Sequence, residues 1–325
     1  MHASELQDTA SLSRFSGDFA LKAGPFGLTA HPAFYFNSRS LSEALRSLRS
    51  FLYRRDGFAL VYGDAGTGKT LLCKRFLEGL DRKAFNVGLM LNPTMNVDEF
   101  LMEMLRVFDM TLPCPPTKGT IFETLRSLVE REGTRGRQSV LAIDGAQRLS
   151  DEVLDLLPKQ ADAKSKGGSP LRVVLFAREE LVTRLVDPGM RHLRRRITMT
   201  HCLQPLSSDE IGPYLVHRVA AAGSPGLISF SRGALERIYR ASGGRARIVN
   251  VVSDRCLLML RQPPRTTVTR RIVDQVLRDV GIHTVPKGKG SAKGRLTIVR
   301  LALASAVLAL ILCGSLIVLW PALGF

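Results

Sequence analysis

The chain has 325 residues, of which 45% are hydrophobic, and it carries a formal charge of +17 with a pI near 10.3. This length and hydrophobic content exclude a disordered chain and predict a folded protein of roughly two domains. The positive charge predicts an acidic partner, either nucleic acid or an anionic membrane surface, because charge alone does not choose between them. Scattered cysteines without a CxxC or Cys/His spacing exclude a zinc site of that kind and predict reduced thiols.

The N-terminal segment combines a polar start with a short aromatic stretch. Residues 1–24 are polar and lack periodicity, which predicts a mobile arm, and nothing in them resembles a secretion signal. We expect the aromatic stretch Phe34-Tyr35-Phe36 to dock on the first helix or beside the glycine-rich loop that follows it. An apolar stripe at helical spacing then predicts a helix over about residues 40–54.

A glycine-rich loop follows an apolar strand predicted at residues 58–62. The loop fits the pattern GxxxxGK[ST], and a helix with one apolar face follows it, as a P-loop requires. Backbone N–H groups that converge at a helix N-terminus favour phosphate binding. In this pattern Lys69 reaches the β and γ phosphates, and Thr70 offers its hydroxyl to Mg²⁺. The predicted nucleotide-binding residues are Gly63, Asp64, Ala65, Gly66, Thr67, Gly68, Lys69, Thr70 and Leu71.

Four further apolar stretches alternate with helical patterns. Strands that alternate with helices predict a parallel sheet that is covered by helices on both faces. The predicted elements are strand 84–91, helix 97–108, helix 121–132, strand 139–144, strand 171–176 and strand 197–203.

The strand that ends at Asp144 is typical of a Walker B motif, because its apolar run closes on a carboxylate. In P-loop enzymes this carboxylate holds Mg²⁺ beside the P-loop threonine. The sequence therefore predicts Thr70 and Asp144 as the metal-binding residues.

The pattern changes to helices only from Ser207 onward, which predicts a second, all-helical unit. Ser207 and Glu210 have the spacing of a capping box. Further helices are expected near residues 233–241, 248–260 and 268–280.

The C-terminal stretch 301–320 contains no charged residue, and roughly 20 apolar residues are enough for a helix to cross a bilayer. We predict a single transmembrane helix here, with the nucleotide-binding part in the cytoplasm, because Lys and Arg cluster just before the span. The alternative is a buried core helix. The predicted parts are the arm 1–24, the P-loop domain 25–206, the helical lid 207–281, the basic linker 282–300, the span 301–320 and the tail 321–325.

Motifs in a fixed order make the chain similar to a known family. The P-loop is followed by Ile143-Asp144-Gly145-Ala146-Gln147, by Leu203-Gln204-Pro205-Leu206-Ser207 and by Ser242-Gly243-Gly244-Arg245-Ala246-Arg247-Ile248-Val249-Asn250. This combination resembles the AAA+ ATPases of the general secretion pathway protein A (ExeA-like) family over about residues 25–281. The resemblance implies an α/β fold, in which a P-loop AAA+ parallel sheet with helices on both faces precedes a small all-helical lid. It also implies a bacterial inner-membrane protein that binds ATP and Mg²⁺, forms homo-oligomers and assists assembly of a secretion, pilus or polysaccharide-export apparatus.

Two departures from the family pattern bear on hydrolysis. Relatives carry Asp-Glu-Ala-Gln, whereas this chain has Gly145 after Asp144, so the carboxylate that would polarise the attacking water is missing. Loss of a general base lowers the rate by on the order of 10²- to 10⁴-fold, and Gln147 is left as the candidate that orients a water. The strand 171–176 is followed by Ala177-Arg178 where the family has a polar amide that senses the γ-phosphate. We therefore predict ATP binding with slow or lost hydrolysis.

Arginines are the remaining candidates for the catalytic site. By the resemblance, Arg247 lies in the family's Gly-x-Pro-Arg-like position and is expected to contact the phosphates from the lid. Arg194 or Arg196 is the candidate finger that reaches the nucleotide of a neighbouring subunit. The alternative for each arginine is a solvated basic surface.

Two classes of function remain open at this point. The first is a membrane-anchored nucleotide switch that recruits envelope secretion or export proteins, and the predicted span favours it. The second is a DNA-associated AAA+ ATPase of the transposition or replication-initiator type, in which lid arginines contact phosphates in a salt-dependent way. A small-molecule phosphotransferase is disfavoured by the lid motif and the span. The lid arginines are Arg255, Arg261, Arg265, Arg270, Arg271 and Arg278.

Overall fold

The computed structural model describes residues 24–28, 30–53, 57–110, 118–161, 171–223, 226, 228–260 and 266–281. By their contacts, the described residues from 24 to 281 belong to one compact unit. The predicted arm up to residue 23, the whole basic linker 282–300, the predicted span 301–320 and the tail 321–325 lie outside the described residues. Within the described part of the chain, no helix is long and apolar enough to cross a membrane.

Helices and strands alternate up to residue 203, as the sequence predicts. In chain order they are α1 (Arg39–Leu52), β1 (Phe58–Gly63), α2 (Lys69–Glu78), β2 (Phe85–Leu91), α3 (Val97–Arg106), α4 (Lys118–Thr134), β3 (Gln138–Asp144), α5 (Asp151–Ala161), β4 (Arg172–Ala177), α6 (Glu179–Arg184), α7 (Arg191–Arg196) and β5 (Ile197–Leu203). All five strands run parallel in one sheet, in the order β2-β3-β4-β1-β5. The predicted parallel sheet is therefore confirmed.

Strand β1 shows how the sheet divides two cores. All six of its residues are buried, and successive side chains point to opposite faces, as a strand dictates. Leu60 packs in the core that contains Phe100 of α3, whereas Val61 packs in the core that contains Phe76 of α2. Helices cover both faces for this reason.

A smaller helical unit with its own core follows the sheet. It consists of α8 (Ile211–Ala221), β6 (Ser229–Phe230), α9 (Arg232–Ser242), α10 (Ala246–Leu260), β7 (Thr267–Val268) and α11 (Arg270–Val280). The prediction that this lid is entirely helical is wrong, because β6 and β7 pair as a short parallel sheet. Two residues are too few to produce an alternating apolar pattern, so the sequence carries no signal for these strands.

The predicted capping box at Ser207 forms only in part. The Glu210 carboxylate accepts hydrogen bonds from the Ser207 backbone N–H and Oγ, at 2.9 and 3.0 Å. The serine hydroxyl thus donates to the carboxylate and caps no backbone N–H, and α8 begins only at Ile211. Glu210 also accepts from the Arg39 backbone N–H at 2.8 Å, which ties the start of α1 to the lid.

A buried arginine holds the segment before α1 against the lid. Arg218 of α8 is 4% exposed, and its guanidinium donates to the carbonyl oxygens of Pro25 and Gly27 at 2.5 and 2.9 Å. The same guanidinium lies 4.4 Å from the centroid of the Phe34 ring. Phe26, between the two bonded carbonyls, is buried in the lid core.

We expect Arg218→Met to destabilise the protein by about 2–4 kcal/mol, because it leaves the Pro25 and Gly27 carbonyls without their charged donor. Urea unfolding measures this loss. The control is Arg232→Met, because Arg232 pairs with Glu236 on the surface and its side chain is 94% exposed, so the change should cost about 0–1 kcal/mol. Equal effects of the two substitutions would contradict the anchoring role of Arg218.

Candidate nucleotide-binding site

The P-loop lies between the carboxyl end of β1 and the start of α2. Gly66 and Gly68 adopt φ angles of +81° and +99°, which side chains with a Cβ rarely adopt. The first N–H groups of any helix have no intrahelical partner. Gly68, which directly precedes α2, has no side chain that could cap those of α2. These N–H groups and the positive end of the helix dipole suit a phosphate.

Lys69 lies over this loop. Its Nζ donates to the carbonyl oxygens of Gly63 and Asp64 at 2.8 and 2.7 Å. Burial lowers the pKa of Lys69, while the nearby charge of Asp144 acts in the opposite direction. The two carbonyl oxygens therefore hold the ammonium group against the loop, where the pattern predicts that phosphates bind.

Thr70 and Asp144 meet where the sequence predicts the metal. Thr70 Oγ1 donates to Asp144 Oδ2 at 2.6 Å, because β1 and β3 run parallel and end at the same edge of the sheet. Burial raises the pKa of Asp144, and the hydrogen bond from Thr70 and the charge of Lys69 oppose that rise. A hydroxyl beside a single carboxylate fits Mg²⁺, which binds few protein groups and keeps several waters.

Gly145 follows Asp144 in a left-handed conformation, with φ +86° and ψ 28°. Its N–H donates to the carbonyl of Phe176 at 2.9 Å. A Cβ on Gly145 would lie 2.9 Å from Asn92 Oδ1 and 3.3 Å from Asn92 Cα. A side chain at position 145 would therefore meet both left-handed backbone strain and crowding against Asn92, and sequence reasoning had no signal for this.

We expect Gly145→Ala to destabilise the protein by about 2–4 kcal/mol, since left-handed backbone strain and crowding against Asn92 add. The matched control is Gly136→Ala, because Gly136 has φ +73° but a Cβ added there would meet nothing within 4 Å. That substitution should cost only the backbone strain, about 1–2 kcal/mol. The difference between the urea midpoints of the two variants measures the destabilisation caused by crowding against Asn92. Equal midpoints would contradict the predicted crowding.

Gln147 joins the segments that follow β3 and β4. Its Oε1 accepts from the backbone N–H of Arg178 at 3.1 Å, so the oxygen of the predicted water-orienting amide already has a partner. Arg178 is exposed, and its charge contributes to the lowered pKa of Lys69, while Glu180 contributes in the opposite direction. Arg178 and Glu180 are therefore neighbours of the site. Sequence reasoning noted Arg178 only as a departure and missed Glu180.

The lid meets the P-loop through its arginines. Arg247 donates its backbone N–H to the Gly66 carbonyl at 3.4 Å, while its side chain is exposed. Arg245, which sequence reasoning did not single out, pairs with Asp64 at 2.9 Å. The structure thus brings Arg247 to the loop by its backbone, and the predicted contact of its side chain with phosphate stays a prediction.

Arg196 lies away from the P-loop of its own chain. It ends α7, just before β5, whose first residue pairs with Phe58 at the beginning of β1. This is the amino edge of the sheet, opposite the edge that carries the P-loop. Arg196 is partly buried, and Arg194 is exposed. Both arginines therefore lie on the side of the sheet away from the P-loop of their own chain, and a role towards a neighbouring subunit stays a prediction.

A cavity opens beside the P-loop, between the sheet and the lid. Thr67, Gly68 and Leu71 form its floor, and Phe36 and Tyr214 are among the aromatic residues that line it. The rings of Phe36 and Tyr214 pack edge to face, with centroids 5.6 Å apart. Phe36 of the aromatic stretch therefore lies beside the P-loop, and its predicted place near a bound nucleotide stays a prediction.

The strand order, the P-loop, the strand-terminal carboxylate beside Thr70 and the helical lid together define the P-loop AAA+ fold class. Residues 52–185 match the family described as AAA domain. The chain is 30% identical over 240 residues to general secretion pathway protein A of Aeromonas hydrophila. The predicted resemblance is therefore confirmed, and the match covers 74% of this chain but only 44% of that protein.

Solved structures share the fold at low sequence identity. Cdc6p from Pyrobaculum aerophilum superposes with a TM-score of 0.60 and 20% identity, covering 76% of this chain and 70% of that one. The ORC2 protein of Aeropyrum pernix gives a TM-score of 0.57 and 17% identity, covering 77% and 71%. These likenesses establish the fold of sheet and lid and do not extend to activity.

Proposed function

We propose that this protein is a membrane-anchored AAA+ nucleotide switch that assists assembly of a bacterial secretion, pilus or polysaccharide-export apparatus. The observation that carries the proposal is the 30% identity to general secretion pathway protein A across 74% of the chain. The P-loop geometry supports ATP as the ligand, and Gly145 supports slow turnover.

Each residue of the site has a role in this switch. Lys69 and the N–H groups at the start of α2 bind the phosphates, and Arg247 approaches them from the lid. Thr70 and Asp144 would hold Mg²⁺, which neutralises phosphate charge when bound. The cavity lined by Phe36 and Tyr214 receives the base.

The switch works between subunits and at a membrane. In the proposal, ATP-bound subunits associate as homo-oligomers, and Arg196 reaches the nucleotide of its neighbour. The segment 301–320 anchors the chain in the inner membrane and keeps the nucleotide-binding part in the cytoplasm. The ATP-bound oligomer then recruits envelope secretion or export proteins. Slow hydrolysis would prolong this state.

Membrane fractionation and light scattering test the proposal. The full-length chain should sediment with inner membranes, whereas a chain ending at residue 283 should not. Purified protein should form larger particles with Mg²⁺-ATP than with Mg²⁺-ADP, and Lys69→Ala should abolish the difference. The proposal would be contradicted if the full-length chain stays in the soluble fraction. It would also be contradicted if nucleotide does not change the particle size.

A DNA-associated ATPase is the second candidate, and exposed lid arginines favour it. Arg255, Arg271 and Arg278 are all exposed, and such residues bind phosphate backbones with a steep dependence on salt. Duplex binding measured between about 50 and 200 mM salt tests this second function. A protein that makes several phosphate contacts would lose affinity for DNA by orders of magnitude over that range.

A further inference from the structure

An ion pair links the P-loop to the lid. Arg245 donates from Nη2 and Nε to Asp64 Oδ2, at 2.9 and 3.1 Å. The two side chains are 33% and 41% exposed, and a pair this accessible contributes little to overall stability. Its location matters more, because the two residues are 181 positions apart in the chain.

Asp64 places a carboxylate on the loop that is built for phosphates. Its own carbonyl accepts from Lys69 Nζ at 2.7 Å and from Thr67 Oγ1 at 3.0 Å. An unpaired negative charge on this loop would oppose the binding of a polyphosphate, since like charges repel over such short distances. Arg245 supplies the opposite charge to that carboxylate.

Arg245 also stands at a point where the lid touches the loop. It directly precedes α10, and its carbonyl accepts from the N–H of Val249 at 3.0 Å in the first turn of that helix. Two residues later, the Arg247 N–H donates to the Gly66 carbonyl at 3.4 Å. A Cβ on Gly66 would lie only 2.6 Å from Arg247 Cβ. The start of α10 therefore contacts the P-loop directly.

We infer that Arg245 is a positioning residue of the nucleotide site, which acts by neutralising Asp64 where the start of α10 meets the P-loop. The inference rests on the proposed function, because it requires that the loop binds ATP. In this inference the negative charge of Asp64 weakens ATP binding, and the positive charge of Arg245 offsets that effect.

This assignment predicts a particular pattern among variants. Arg245→Met leaves Asp64 as an unpaired carboxylate, and ATP binding weakens. Asp64→Asn in addition removes the repulsive charge, and binding recovers. A role of Arg245 in lid folding alone would give no recovery, because Asp64→Asn does not restore the lid.

Titration of the purified full-length chain with a fluorescent ATP analogue and Mg²⁺ tests the pattern. Arg245→Met should weaken binding about tenfold, which corresponds to about 1.4 kcal/mol. Asp64→Asn/Arg245→Met should bind within about threefold of the unaltered chain, and Asp64→Asn alone about threefold tighter, because Arg245 then faces the phosphates unpaired. Arg240→Met is the control, since it removes an exposed lid charge on α9 and should change nothing.

The failures of the inference and of the proposed function are distinguishable. Unchanged binding by Arg245→Met, or a double variant as weak as Arg245→Met, overturns the inference while ATP binding stands. No ATP binding by the unaltered chain overturns the proposed function instead. Should Arg245→Met fail to fold in a urea titration, Arg245→Gln and its combination with Asp64→Asn carry the same expectations.

Discussion

Replacing Lys69 with alanine is expected to weaken Mg²⁺-ATP binding by roughly 100-fold or more. Truncating one partner of a desolvated charge pair costs about 2–5 kcal/mol, and each 1.4 kcal/mol is about tenfold in affinity. Lys69 meets this condition because burial already lowers its pKa, so its charge lacks much of its hydration before a phosphate arrives. Isothermal titration calorimetry of the unaltered and variant proteins measures the loss.

A second lysine controls for the loss of charge alone. Lys83 is exposed in the turn before β2, and Lys83→Ala should bind Mg²⁺-ATP as the unaltered protein does. Lys69→Ala also removes the side-chain donor to the Gly63 carbonyl and one of the donors to the Asp64 carbonyl, so urea unfolding should accompany the titration. Binding by a folded Lys69→Ala protein within about threefold of the unaltered value would contradict the assigned role.

The central strands β1, β3 and β4 were predictable because nearly all of their residues are buried. Such strands read as near-continuous apolar runs. The edge strand β5 also begins and ends at the predicted residues, although only two of its seven residues are buried. Strand β4 lies one residue later than predicted, at Arg172–Ala177. Its first residue, Arg172, is 2% exposed, and a buried arginine has no signature in the hydrophobic pattern.

The contact between Thr70 and Asp144 was predictable for a related reason. The two residues are 74 positions apart, yet Asp144 ends β3 and Thr70 follows β1 through the P-loop, and the carboxyl ends of parallel strands share an edge. Their binding of Mg²⁺ stays a prediction. The pair of Asp64 and Arg245 was not predictable in this way. Asp64 directly follows β1, but Arg245 belongs to the lid, so the pair depends on how the lid docks on the loop.

The backbone at Gly145 also escaped sequence reasoning. The sequence shows that a carboxylate is missing, but a glycine does not reveal which φ it adopts. At this φ of +86° any residue with a Cβ would be strained. Adding a glutamate at Gly145 therefore changes more than one property of the site.

We expect ATP turnover by the unaltered protein to be on the order of 10²- to 10⁴-fold below that of an enzyme with a positioned general base. Gly145→Glu alone should restore little, because the new Cβ would lie 2.9 Å from Asn92 Oδ1 and the backbone would be strained. Asn92→Gly/Gly145→Glu removes that oxygen, and glycine also suits the positive φ of 47° at Asn92. The double variant should therefore gain at least about tenfold over Gly145→Glu.

Steady-state phosphate release measures these rates, with Lys69→Ala in each background as the correction for contaminating ATPases. The prediction fails if the unaltered protein already turns over ATP rapidly in a Lys69-dependent manner. Glu180 would then be the first residue to test, because its charge acts on Lys69 from the segment after β4. Loss of that turnover in Glu180→Gln, but not in Glu179→Gln, would place the missing carboxylate on α6 and explain how the site dispenses with one at Gly145.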